Sequence, residues 1–483
     1  MKFPRNPASL FRFAAAIALP VAIGLLLRLY ALRKLFETFG DTLIYGGIAK
    51  NLLLHGQYAL NGAGNELYPT LIRLPGYPLF LALSFRLFGM ENYCAAAGLQ
   101  IALELAGCLL LADFVRRIAP APLARRAALA TLWIACLCPF TASYTATPMA
   151  ETPTLFAIAL ALWAAVRFHQ RPGWPPALTF TFAIAFAALL RPDGALVAVA
   201  LAPAALFAVP PGHIVPRRLT RIAIACTLLV LAPFALWTAR NWRVFHLFQP
   251  LAPRLATDPS EDPHLGYEAW VKSWCLDYVS TYDIYWNVPG DRFDLTKLPA
   301  RAFDSPAQYA ATASLADDYN RTGTWEITRA MDARFAQLAR QRALAHPWRT
   351  RLWLPLGRMA DMWLRPRTEN LPIDLDWWVY ANHHNETVFS WALCGLNLLY
   401  LAAACAGLCL RPPFWRSMLA YMLLRSALLL TVQAPEARYT LECFPFLFVL
   451  AGFALAAAFE KFGKFSTKAP LHAMAPGRPR SRF

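Results

Sequence analysis

About ten separate runs of the chain are apolar for close to twenty residues, and that pattern fixes the fold class before any motif is read. A segment crossing a hydrocarbon core needs roughly 20 mostly apolar residues, because in lipid each backbone amide must be bonded within its own helix. The runs are 12–32, 94–113, 127–146, 151–168, 177–190, 194–209, 221–239, 388–410, 415–432 and 441–459. Composition agrees: the 483 residues are 58% hydrophobic and 16% charged, with a mean hydropathy of +0.37. The predicted class is an all-α polytopic membrane protein with about ten or more transmembrane helices and a small α-containing region outside the bilayer. The stretch LPGYPLFLALSFRLFG, 74–89, reads as a re-entrant or additional element.

Lys2, Arg5 and Arg12 precede the first run, as in a signal peptide, but Arg28, Arg33 and Lys34 follow it in place of a small-residue cleavage site. It reads as an uncleaved anchor. Alternate connections are short and basic: Arg116, Arg117, Arg125 and Arg126; Arg167 and Arg171; Arg217, Arg218 and Arg221; Arg411 and Arg416; and the tail with Lys461, Lys464, Lys468, Arg478, Arg480 and Arg482. The positive-inside rule puts these in the cytoplasm, together with both termini. Residues 241–388 hold 16 Lys and Arg against 18 Asp and Glu, so the net charge of +17 belongs to the membrane topology and no nucleic-acid partner is expected. Nine of the ten cysteines lie in or beside apolar runs, without a CxxC knuckle or a disulfide framework. The chain divides into a transmembrane module, 1–240, with an outer loop at 33–92; a soluble or interfacial region, 241–388; C-terminal spans, 389–460; and a basic tail, 461–483.

On this topology the outer face collects the residues of chemical interest. Asp41 and Arg73 lie in the first outer loop, Glu151 opens the fourth span, Arg191 and Asp193 mark the break between the fifth and sixth, and Arg240 ends the seventh. Glu436, Arg438 and Tyr439 lie between the ninth and tenth. Acids and arginines from separate loops suit the holding of an anionic headgroup beside a reaction. Each has a plainer reading. Asp41 can be a helix N-cap, the arginines can snorkel to lipid phosphates, and Glu151 can favour a helix dipole. Helical spacing groups Asp41, Tyr45, Ile48 and Leu52 on one side with Lys50 opposite, which predicts a partly desolvated Asp41 with a raised pKa. Glu104 and Arg425, the notable charges inside spans, are candidates for a pair across helices.

Within 241–388 only 325–347 reads firmly as a helix, on the stripe Ile327, Met331, Phe335 and Leu338. The segment 349–366 mixes Trp and Leu with Arg, as at a membrane interface. The abundant aromatic and acidic side chains suit either a sugar-binding surface or, preferably, the core of a small cap domain.

The order of GDTLIYGGIAKNLL, RLPGYPLFLAL, AETPTLFAIAL, RPDG, ARNW, AHPW and PEARYTLECFP resembles the GT-C membrane glycosyltransferases, in the bacterial branch similar to protein O-mannosyltransferases and lipid A aminoarabinose transferases. The resemblance spans most of the chain. It implies transfer of a sugar from a polyprenyl-phosphate carrier to an acceptor (protein, lipid or envelope glycan) on the non-cytoplasmic face. Asp41 matches the catalytic acid, with Glu151 as a second acid. Arg73, Arg191, Arg240 and Arg438 are the donor-phosphate ligands, and Tyr45, Tyr77, Glu436 and Tyr439 the substrate pocket. The acid pair frequent in the family is Asp41-Thr42 here, so no metal and no other cofactor is expected. A multi-span transporter centred on Glu104 and Arg425 is the alternative, although no internal repeat accompanies it; an inactive assembly subunit would tolerate loss of Asp41.

Overall fold

The computed structural model describes residues 7–62, 64–207 and 216–466; the charges on Lys2, Arg5, Lys468, Arg478, Arg480 and Arg482 lie outside them. In chain order the helices are α1 (Pro7–Leu35), α2 (Asp41–His55), α3 (Gly76–Phe88), α4 (Tyr93–Ile118), α5 (Ala121–Cys136), α6 (Pro139–Thr145), α7 (Glu151–Gln170), α8 (Trp174–Leu190), α9 (Leu196–Phe207) and α10 (Pro216–Phe245). They continue with α11 (Leu265–Lys272), α12 (Tyr278–Ser280), α13 (Pro306–Arg321), α14 (Arg329–Ala345), α15 (Leu354–Leu364), α16 (His384–Cys409), α17 (Trp415–Leu429) and α18 (Phe444–Ser466). A short hairpin, β1 (Ala59–Asn61) and β2 (Leu67–Pro69), pairs antiparallel with Leu60 opposite Tyr68. The all-α polytopic membrane architecture expected from the sequence is the one observed.

Every expected span falls on a helix, but the lengths differ. Among the described residues six helices are long and apolar enough to cross a membrane by themselves, at Ala14–Leu35, Tyr93–Ile118, Glu151–Gln170, Arg217–Phe245, His384–Cys409 and Ala437–Lys461. The run 127–146, expected as one span, is bent by 52° between α5 and α6; Pro139 has no amide to continue the ladder and its ring crowds the preceding turn. The runs at 177–190, 194–209 and 415–432 are shorter helices, of 17, 12 and 15 residues in α8, α9 and α17. The ambiguous 74–89 segment is α3, a 13-residue helix packed on α2, α4 and α8.

The bundle has a buried centre and a lipid-facing rim. In α7 and the α18 span, 72% and 78% of the apolar window is buried, against 11% in α10, whose Leu228, Leu231 and Leu236 point outward. Helices that gain nothing from excluding water associate in lipid through close packing, which favours small residues at contacts. Gly407 is such a contact: a Cβ there would lie 1.9 Å from the Leu450 carbonyl oxygen of α18. Gly407→Ala is expected to push α16 off α18 and cost about 1–3 kcal/mol, read as a lower midpoint of thermal unfolding in detergent. Gly395→Ala on the same helix, where nothing lies within 4 Å, is the control and should not move it.

Residues 265–345 form a second core, built on Trp270, Trp274, Phe293, Tyr319 and Phe335. The expected stripe is there, with Ile327, Met331, Phe335 and Leu338 all buried. Thr328 caps α14 by accepting from the Met331 amide, so this helix starts at Arg329 rather than 325. α11 and α13 leave no sign in the sequence, because their faces are too irregular for a clean period. Trp348 and Trp353 remain 74% and 64% exposed in the 349–366 segment, consistent with an interfacial position.

Candidate active site

The N-terminus of α2, the loop before α3, the start of α7, the end of α8 and the turn before α18 meet at one end of the bundle. Gly40 makes this possible at α2: its φ of 51° lies where residues with a Cβ are disfavoured. It turns the chain so that Asp41 is the first helical residue and Thr42 donates to the Pro148 carbonyl ahead of α7 at 3.1 Å. Asp41 therefore does not cap the helix. Its carboxylate faces two guanidinium groups, Arg73 Nη2 donating to Oδ1 at 2.6 Å and Arg438 Nη1 to Oδ2 at 3.3 Å. Gly76, in the same RLPGYP stretch as Arg73, abuts the backbone of Leu189 and Leu190, which seats this loop directly beside Arg191.

Behind Asp41 the charges alternate. Arg438 also reaches Glu151 Oε1 at 3.6 Å and bonds Glu436, whose other oxygen accepts from the Tyr439 hydroxyl. Arg191 bridges Glu151 Oε1 at 3.0 Å, Glu442 Oε1 at 2.9 Å and Asp193 Oδ1 at 3.5 Å. Arg425 closes the set on Asp193 and on Glu442 Oε2 at 3.2 Å, where Tyr421 also donates at 3.1 Å. Charges removed from water persist only when paired in this way.

Burial by itself would raise the Asp41 pKa; the nearby Arg438 and Arg73 outweigh it and pull the group down to about 2. The raised pKa expected from the sequence is therefore corrected: the arginines, distant along the chain, were not visible in a helical wheel. The expected Glu104–Arg425 pair is corrected too. Glu104 is bonded to Arg28 of α1, near the end of the first apolar run, and Arg425 belongs to the ion cluster behind Asp41. A cross-membrane site built on those two residues is therefore absent.

A cavity of about 1080 Å³ opens at this cluster. Asp41, Glu436 and Arg438 line it together with residues of the 241–383 region, among them Glu268, Tyr278 and Glu369. Arg73, Glu151, Arg191 and Tyr439 stand behind the lining. Tyr45 packs edge-on against Tyr77 at 4.9 Å, and the fully buried Tyr77 donates to Gln100 Oε1 at 2.7 Å, so this pair supports Arg73 from below. Arg240 lies apart: its guanidinium holds the carbonyls of Thr70 and Tyr58, each at 2.7 Å, and anchors the loop that carries Arg73. The sequence reading missed Glu442, although PEARYTLECFP contains it, and the cavity residues Arg365 and Glu369 of LRPRTEN. A charged cluster directly after an interfacial helix was the available signal. Asp374, Asp376 and His383 at the cavity's far side bring ligand atoms within 4.8 Å of one another.

Residues 73–237 match the family of dolichyl-phosphate-mannose-protein mannosyltransferases. The solved oligosaccharyltransferase AglB of Archaeoglobus fulgidus, in complex with an inhibitory peptide and a dolichol-phosphate, superposes over 98% of this chain with a TM-score of 0.51 at 12% identity. The chain has the GT-C fold. It covers 53% of that AglB chain, and 50% of the same organism's oligosaccharyltransferase tethered with an acceptor peptide, which aligns at a TM-score of 0.49 and 12% identity over 93% of this chain. ArnT from Cupriavidus metallidurans, bound to undecaprenyl phosphate, aligns with 94% of this chain and 81% of its own at 15% identity and a TM-score of 0.40. No curated protein matches the chain in sequence. Within this GT-C chain, the matched family segment contains Arg73, Glu151 and Arg191, whereas Asp41 and Arg438 enter the site from outside it.

Proposed function

We propose that the protein is an integral membrane glycosyltransferase that moves a sugar from a polyprenyl-phosphate-linked donor to an acceptor on the non-cytoplasmic face. One observation carries the reading: a single carboxylate, Asp41, held between Arg73 and Arg438 at the edge of a large cavity where apolar helices end. The GT-C fold and the mannosyltransferase match support it. The basic ends support the sidedness, because α7 begins with Glu151 in the site and ends with Arg167 and Arg171 at the far end.

A phosphate-linked sugar is already activated, so the work left is positioning, stabilisation of the leaving phosphate and removal of one proton. Arg438 and Arg73 bind phosphate oxygens. The acceptor oxygen or nitrogen attacks the anomeric carbon as the carbon–oxygen bond to phosphate breaks. Its proton passes to Asp41, the electron pair leaves with the phosphate, and the anomeric configuration inverts. Glu151 orients Arg191 and Arg438. In the resting site both Asp41 oxygens pair with guanidinium groups, and we assign the step to Asp41 and the arginines.

The resting ion pairs give the site a built-in order. Asp41 bonded to two arginines is ionised but a weak base; a donor phosphate competes for those arginines and frees it. In the free enzyme Asp41, with its lowered pKa, stays ionised until pH falls toward 2. Hence kcat/KM, which reports the free enzyme, should show no loss from this group between pH 7 and 4. The acid limb of kcat should lie at higher pH, because bound phosphate removes the arginines' pull. Acid limbs that coincide in the two profiles would sink the coupling. The transferase reading itself is tested by sugar release from a panel of radiolabelled polyprenyl-phosphate sugars in membranes containing the full chain; release from no donor would overturn it.

A further inference from the structure

Beside the ion cluster, another part of the cavity lining carries a different chemistry. α12 continues through Thr281–Tyr285 as a π-helical turn, closed by the Trp286 amide on the Thr281 carbonyl at 2.9 Å. Such turns are rare and are enriched at functional sites. Here the widened turn places Tyr278, Tyr282 and Trp286 together, with ring centroids 5.6–6.3 Å apart. All three line the cavity, and none belongs to the core built on Trp270, Trp274, Phe293 and Phe335. Tyr282 and Trp286 keep 43% and 39% of their surface exposed, an uncommon state for two adjacent large aromatics that have a core to join.

Beside them Glu268 points into the same space. One oxygen accepts from the Tyr285 hydroxyl at 3.2 Å, while Oε2 is buried without a hydrogen-bond partner among the described residues. A buried carboxyl oxygen with nothing to bond is costly unless a ligand supplies the donor. Burial also raises the Glu268 pKa to about 7, so near neutrality it can donate as well as accept.

We infer that Tyr282, Trp286 and Glu268 form a carbohydrate-binding wall that seats the acceptor, and that the acceptor is therefore a sugar ring. The apolar C–H face of a sugar packs on the aromatic faces, and a hydroxyl or amino group on its edge bonds Glu268 Oε2. Size agrees. Pockets of about 300–1,000 Å³ hold drug-sized ligands, so a cavity of about 1080 Å³ has room for a donor sugar at Asp41 and a second ring on this wall. The assignment of that ring as acceptor rests on the transferase reading.

The test reads binding instead of turnover, so its failure and that of the transferase reading are separable. Methyl glycosides of hexoses, pentoses and amino sugars are titrated by saturation-transfer NMR against the full chain in nanodiscs, with and without undecaprenyl phosphate. At least one glycoside should bind, also with undecaprenyl phosphate present. Trp286→Ala should weaken it tenfold or more, and Glu268→Gln should weaken amino sugars more than neutral ones. Tyr282→Ala serves if Trp286→Ala does not fold. No binding by any glycoside, binding that survives the platform variants, or binding abolished by undecaprenyl phosphate would each overturn the proposal.

Discussion

Asp41→Asn is expected to lower transfer from the polyprenyl-phosphate donor by about 10²–10⁴-fold, the range supplied by a positioned general base. The substitution keeps the size of the side chain and its one oxygen can still accept from Arg73, while the Gly40 turn and the Thr42 bond to the Pro148 carbonyl are untouched, so α2 should stay in place. What disappears is the site that takes the acceptor's proton. Rates in membranes at equal protein level are the measurement, with sugar release from a labelled donor as the signal. A variant that retains more than about a tenth of the wild-type rate would be incompatible with the general-base range and would hand proton removal to Glu151 or Glu436, the other acids of the cluster. Because neither charge nor size changes at Arg438 or Arg73, donor affinity should fall far less than kcat. The phosphate no longer competes with a carboxylate for the two arginines, which favours donor binding.

Glu104→Gln should cost about 3–5 kcal/mol of stability while leaving the chemistry in place, because breaking a buried ion pair strands the remaining charge. Arg28 and Glu104 are 0% and 4% exposed. Around them Arg28 Nη1 donates to the carbonyls of Gly24 and Cys136 at 2.8 and 2.7 Å, and Thr141 donates to Glu104 Oε1 at 2.9 Å. The pair ties α1, little buried elsewhere, to the centre of the bundle through α4. Unfolding in detergent followed by tryptophan fluorescence reads the loss. The double change Arg28→Met with Glu104→Met should recover most of it, since apolar replacement of a buried pair is often close to neutral. A Glu104→Gln protein of full stability but no activity would instead return this pair to the functional machinery.

Much of the helical framework was legible in the sequence because lipid imposes a single rule, a long apolar run, that needs no partner to be recognised. The same rule misjudged 127–146, where Pro139 breaks a run whose composition is uniformly apolar. Charges were harder. Asp41, Arg73, Glu151, Arg191, Glu436 and Arg438 could be gathered from span ends and are together in the fold. Arg240 shared their position along the chain but spends its donors on two carbonyls, a choice made by the β1–β2 hairpin and not by any local pattern. Glu104 and Arg425 were paired by similarity of depth, yet each had a nearer partner: Arg28 looked like a flanking charge, and Glu442 was hidden in the turn before α18. The aromatics of 241–388 carried two readings that only three-dimensional packing could divide, with Trp270, Trp274, Phe293 and Phe335 in a core and Tyr278, Tyr282 and Trp286 on the cavity.

The seven-residue turn Ala437–Cys443 carries Arg438, Tyr439 and Glu442 and runs directly into α18, the most enclosed span of the bundle. Asp41, by contrast, starts a helix bracketed by Gly40 and Gly56, both at positive φ, with Leu43 and Leu54 uncovered. Acid and arginine thus stand on parts of unequal stiffness: one is fixed to a pillar, the other to an element held by fewer contacts and so the first to yield. The 3.3 Å contact of Asp41 and Arg438 is then a latch with one stiff side and one soft side: on the proposed reading, a donor phosphate that parts it meets less resistance from α2 than from the pillar that carries Arg438.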